Sequence, residues 1–254
     1  MKNIYIHIGT HKTGSTSLQR WMLEHESFLN ANGFILYKGD HKTHNHVELY
    51  LAAMRYDRDS FGKQSMPEVK FDESYTSAVS KQVQTFISKY GNENLILSTE
   101  GLSLLRHRDE IQKLATILGS DYENIKIILY LRDKKDYLSS YRLQLKKKER
   151  KASTDYWSAL YVEDDTWLID YEQLITAYGD VFGLNNIVVI DYDKEMESRT
   201  NIIPSFVETV GLECSVEDET EFQSYHYNAA LSLDSHKPKK ATILWRLLKK
   251  LNIG

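Results

Sequence analysis

The chain of 254 residues has one cysteine, Cys214, and three prolines. A single cysteine excludes a disulfide framework within the chain and a zinc site of paired cysteines. It fits a reducing compartment, so a cytoplasmic location is expected. Three prolines and 12 glycines exclude Pro-rich and collagen-like classes. No run of 18 apolar residues is present, which excludes an apolar spanning helix. The first nine residues turn polar too soon for a signal peptide and read as a buried strand. Basic excess is also lacking: 32 Lys and Arg against 36 Asp and Glu give a net charge of −4, which argues against nucleic acid as a partner. What remains is globular, with 41% apolar and 27% charged residues. A chain of this size buries roughly 73% of its unfolded surface and needs no staple. One domain over 1–254 is expected.

Strands and helices alternate. Residues 3–8 read as a strand in which Ile4, Ile6 and Ile8 alternate with Tyr5 and His7. A polar turn over 9–15 follows, then helical spacing over 16–29 through Leu18, Trp21, Met22 and Leu29. Further short apolar strands are expected at 34–37, 95–97, 125–131 and 187–190, the third being the strongest. Helices are expected at 47–54, 74–90, 110–118, 136–148, 167–178 and 205–210, with 57–72 a loop. The pattern predicts an α/β fold, a three-layer sandwich with a mostly parallel central sheet flanked by helices. Ligands of such sheets sit beyond the carboxyl ends of the strands. Three of those ends are polar, after Ile8, Leu97 and Leu131.

The first end makes an anion cradle. Gly9 and Gly14 bound a turn that opens a helix. The first N–H groups of a helix lack internal partners, its dipole adds positive charge, and turn amides form a nest. Thr13, Ser15, Thr16 and Ser17 add hydroxyls, and Lys12 adds a full charge. A phosphate-type or sulfate-type ligand fits there. The glycine spacing is that of a nucleotide-triphosphate loop, but Ser15 stands where that loop has its lysine. This weighs against an ATP-dependent P-loop kinase, which stays as an alternative beside a non-catalytic nucleotide- or polyanion-binding module.

Gly9-Thr10-His11-Lys12-Thr13-Gly14-Ser15-Thr16-Ser17 resembles the 5′-phosphosulfate loop of sulfotransferases, in a form similar to bacterial carbohydrate-type members. The resemblance implies a P-loop-like fold and 3′-phosphoadenosine-5′-phosphosulfate (PAPS) as sulfuryl donor. The family's second motif is an Arg at a strand end and a Ser eight residues later. Arg132 and Ser140 match it, with Asp136 between them at an acidic position. An Arg fork suits a terminal phosphate, and a helix-borne Ser donates to the same oxygens. Two departures stand out: Lys134 replaces a frequent Pro, and Ser17 stands where some members carry an adenine-stacking Trp. A weaker likeness runs through 170–192 and 203–212. Asn228 falls where relatives close a loop over the nucleotide.

For the reaction, Lys12 is the natural partner of the bridging oxygen. Two residues are candidates for the base. Glu100 ends the strand at 95–97, where partial burial would raise its pKa toward neutrality. His46 opens the helix at 47. His11 is placed to contact donor or acceptor, His44 is a weaker candidate, and His7 reads as core. Histidines 41, 44 and 46 lack carboxylate partners at ligand spacing, so no metal is expected.

Two basic groups are left. Residues 146–151 hold five cations in six positions, which fits a solvated helix end or attraction of an anionic polymer. The C-terminal tail, 240–254, alternates cations and leucines over 240–251. That fits a core-packed terminal helix or peripheral contact with a membrane. The reading is a PAPS-dependent sulfotransferase acting on a hydroxyl, of a carbohydrate or polysaccharide.

Overall fold

A computed structural model describes residues 3–119, 124–213, 222, 224 and 225. Asn228, Cys214 and the tail at 240–254 lie outside the described residues. Five strands form one sheet: β1 (Asn3–His7), β2 (Phe34–Leu36), β3 (Asn94–Ser98), β4 (Asn124–Leu131) and β5 (Ile187–Asp191). Their order is β2-β3-β1-β4-β5, and every pairing is parallel. The helices are α1 (Ser15–Glu24), α2 (Glu26–Ala31), α3 (Val47–Ala53), α4 (Phe61–Gln64), α5 (Glu73–Lys89), α6 (Arg108–Leu118), α7 (Lys134–Lys147), α8 (Tyr171–Phe182), α9 (Tyr192–Ser198) and α10 (Ile203–Val210).

Strand alternation divides the core in two. Ile4, Ile6, Leu95, Leu97, Ile127 and Leu129 face α3, α5, α6 and α8. Tyr5, Ile96, Ile128 and Tyr130 face α1 and α10. Burial of each such side chain contributes about 1.5–3 kcal/mol. With both faces covered, each strand carries a continuous apolar stretch, as the sequence pattern requires. After β1 the chain builds β2 and β3 on one side of that strand, then crosses to β4 and β5 on the other. The carboxyl end of β1 is therefore the switch point at which α/β sheets bind ligands.

The helix expected over 16–29 is two. At His25 the imidazole Nδ1 lies 3.0 Å from the Trp21 carbonyl oxygen, and the backbone leaves the helical region there. The loop at 57–72 contains α4, capped by Ser60, whose hydroxyl accepts from the Lys63 N–H. Residues 167–169 form a separate 3-10 turn, and Asp170 starts α8 by accepting from the Gln173 N–H at 3.0 Å. Among the described residues no helix is long and apolar enough to cross a membrane.

Candidate active site

The loop after β1 is built by left-handed backbone. Gly9 has φ 64°, Lys12 φ 67° and Gly14 φ 78°. At Gly9 a Cβ would sit 3.0 Å from that of Glu100, so glycine brings the loop and Glu100 together. Lys12 carries a side chain in a conformation that costs about 1–2 kcal/mol. No side chain caps α1 at Gly14, and the first N–H groups of the helix face the loop. The buried Ser15 hydroxyl has no partner among the described residues. These orphan donors fit an oxyanion. Thr13 is turned inward, its hydroxyl donating to the Thr10 carbonyl at 2.6 Å, while Ser17 is buried and Thr16 half-buried in the first turn of α1.

On the β4 side stands Arg132. Its Nη1 donates to the Lys12 carbonyl at 3.3 Å, and its guanidinium lies 5.4 Å from the Tyr192 ring centroid. Asp193 pairs with its Nε at 3.8 Å, beyond hydrogen-bond range, so among the described residues that buried N–H has no hydrogen-bond acceptor. Ser140 is half-buried on the second turn of α7. Burial, then the charges of Arg132 and Lys147, hold the Lys12 pKa below its ordinary value; Glu100 opposes them.

On the β3 side a polar network underlies the loop. Gln19 of α1 donates from Nε2 to the Ser98 hydroxyl at 3.2 Å and to Glu100 at 3.1 Å. Asn45 Nδ2 also donates to Glu100, at 3.1 and 3.3 Å. The Ser98 hydroxyl lies 2.8 Å from His7 Nδ1. Burial disfavours the Glu100 carboxylate, but His11, the backbone, Gln19 and His7 outweigh it, and its pKa falls below the ordinary value. His11 packs edge-on against Tyr141, with ring centroids 5.3 Å apart.

No protein-family model matches the sequence. No curated protein matches it either. Among solved structures, the chain is similar to a sulfotransferase from Alicyclobacillus acidocaldarius. The TM-score is 0.52 at 14% identity, over 99% of this chain and 90% of that one. The fold is that of a sulfotransferase. The sulfotransferase domain from the curacin biosynthetic pathway scores 0.49 at 11% identity over 93% of this chain and 82% of its own. A mouse sulfotransferase complexed with PAP scores 0.43 at 12% identity over 88% and 63%.

In this sulfotransferase fold, residues 9–17, Glu100 and Arg132 gather at the carboxyl ends of three adjacent strands. Two expectations change. His46 is fully buried, and its Nδ1 accepts the Ser98 N–H at 2.9 Å while its own backbone N–H donates to the Ser98 carbonyl at 3.1 Å. With that lone pair used, the ring clips the end of β3 and has none left to act as a base. Burial pushes its pKa down to about 3. The Glu100 pKa lies below the ordinary value, not toward neutrality, because the charge of His11, then the backbone and Gln19 donors, outweigh burial. His44, half-buried, has its pKa lowered by burial, then by Lys42 and Arg20.

Sequence reasoning passed over Gln19, Asn45, Tyr141, Tyr192 and Asp193. Gln19 was detectable as a lone amide inside the apolar stripe of α1. Tyr192 and Asp193 follow a fourth strand end to which the same rule applied. A groove of about 840 Å³ between α5 and α6, lined by Ser77, Lys81, Gln84, Lys113 and Thr116 among others, contains none of the site residues. Among the described residues no group of three or more His, Cys, Asp or Glu is arranged to hold a metal ion.

Proposed function

We propose that this protein transfers the sulfuryl group of PAPS to a hydroxyl, on a carbohydrate or polysaccharide. One observation carries the reading: two cationic anion sites are joined through a single hydrogen bond, from Arg132 to the Lys12 carbonyl. The loop from Gly9 to Ser17 holds the 5′-phosphosulfate with Lys12 and the hydroxyls of Ser15, Thr16 and Ser17, while Thr13, its hydroxyl tied to the Thr10 carbonyl, shapes the turn. Arg132 and Ser140 hold the 3′-phosphate. The orphan Ser15 hydroxyl and Arg132 Nε–H support both assignments.

Sulfuryl transfer needs positioning and charge stabilisation on the leaving oxygen. Lys12 supplies that charge beside the bridging oxygen. The acceptor hydroxyl approaches from the β3 side, where Glu100 and His11 lie, and loses its proton there. The single lysine inside the loop, with Ser15 after the second glycine, favours this chemistry over kinase chemistry. Calorimetry without metal, comparing adenosine 3′,5′-bisphosphate (PAP) with ATP, tests the reading. Preference for the bisphosphate is expected, and preference for ATP overturns it. Product formed from radiolabelled PAPS distinguishes an enzyme from a non-catalytic binding module.

A further inference from the structure

Glu100, in the turn after β3, and His11, in the loop after β1, interact electrostatically, and their chemistry differs. Glu100 receives N–H donors from Gln19 and Asn45. A carboxylate so surrounded is stabilised as an anion and is a weak proton acceptor. Two nearby imidazoles each have one nitrogen engaged. His46 Nδ1 takes the Ser98 N–H, and His7 Nδ1 shares a hydrogen bond with the Ser98 hydroxyl. The Tyr141 hydroxyl donates to the Ala159 carbonyl at 3.1 Å. His11 alone among these lies inside the anion loop, next to Lys12, and its buried Nδ1 has no partner among the described residues.

We propose that His11 is the group that takes the acceptor's proton, and that Glu100 is a positioning residue that acts through it. The assignment rests on the sulfuryl-transfer reading above. Three groups face the ring: Glu100 from the turn after β3, Lys12 from its own loop, and Tyr141 from α7. Tyr141 braces the ring edge-on. Burial, together with Lys12, keeps the imidazole neutral, the form that accepts a proton; Glu100 opposes this and stabilises the imidazolium once it forms.

The step balances. The acceptor oxygen forms its bond to sulfur as the bond from sulfur to the bridging oxygen breaks. The electron pair stays on the 5′-phosphate of the leaving nucleotide, beside Lys12. The proton moves to His11 and then to water. His11 and Lys12, adjacent in sequence, thus serve opposite ends of the transfer.

The test uses the full chain, PAP, and PAPS with water as acceptor, because water brings a hydroxyl able to accept the sulfuryl group to every assay. His11→Ala is expected to keep PAP affinity within about threefold while lowering sulfate release by about 100-fold or more, the scale of a general base. Added imidazole is expected to restore part of that release, which a merely structural role would not allow. Glu100→Gln is expected to cost less and to shift the acid limb of the pH profile downward, because Glu100 favours protonated His11. Sulfate release by His11→Ala equal to that of the wild type overturns the assignment. So does absence of imidazole rescue, or a larger loss in Glu100→Gln than in His11→Ala. Failure of the wild type to bind PAP overturns the sulfuryl-transfer reading itself. PAP binding with any of the three preceding outcomes overturns only His11.

Discussion

The loop after β1 is held differently by its two neighbouring strands. Toward β4 the ties end on backbone. The Thr10 N–H and hydroxyl both donate to the Tyr130 carbonyl, the Tyr130 N–H donates to the Gly9 carbonyl, and Arg132 donates to the carbonyl of Lys12. Toward β3 one backbone rung, from the Thr99 N–H to the His7 carbonyl, is followed by side chains alone. There Gln19, Asn45, His7, Ser98 and Glu100 connect through amides, a hydroxyl and a carboxylate. The β4 side sets a fixed shape for an anion. The β3 side carries titratable groups, a carboxylate and an imidazole, whose burial and partners set their protonation.

The contrast can be broken by substitution on either side. The largest effect is expected at the loop itself. Lys12→Ala should lower turnover of labelled PAPS by about 100- to 1000-fold, the scale for losing one preorganised donor; near-normal turnover would remove Lys12 from the mechanism. Next comes Arg132→Lys, which keeps the charge and loses the fork. PAP affinity should fall roughly 10- to 100-fold by calorimetry, in line with hydrogen bonds to charged groups. Unchanged affinity would mean that the 3′-phosphate binds elsewhere.

On the β3 side, Gln19→Leu takes one donor each from Ser98 and Glu100 and leaves Asn45 as the side-chain donor to Glu100. It should cost about 1–3 kcal/mol in urea unfolding and raise the Glu100 pKa, since Gln19 is one of the groups that lower it. Stability equal to the wild type would show the network to be inert.

A further effect is read from pH. His7 titrates at about 4 and His46 at about 3, both lowered chiefly by burial. The unfolded chain protonates them below about 6.5, whereas the fold accepts those protons only below the lowered values. Stability should therefore fall as pH drops from 6.5 toward 4, by about 1.4 kcal/mol per unit for each ring. His46→Gln should flatten that slope, and an unchanged slope would detach His46 from it.

The same contrast explains what the sequence made legible. Gly9, Gly14 and Lys12 could be read because backbone rules are local: a strand, a positive-φ turn and a helix start lie within a few residues. Arg132 was legible as the cation ending the strongest apolar run. All five strands were, because burial on both sheet faces leaves a continuous apolar stretch. The surroundings of Glu100 were not, because Gln19 lies 81 residues away and Asn45 lies 55. No local pattern pairs them. His46 looked like a base because its type suits proton transfer, whereas its partner, the Ser98 N–H, is visible only once β3 is in place. The break at His25 is a change of backbone angles at one residue, which helical spacing does not register.

The hydrogen bond from Arg132 to the carbonyl of Lys12 makes the gap between the two cations a built-in gauge. On the proposed function, a nucleotide whose charged groups are spaced for that gap would meet it at both jaws, and a shorter one would touch a single jaw. Anything that pulls the guanidinium outward also drags the peptide that carries the ammonium, so emptying one jaw loosens the other.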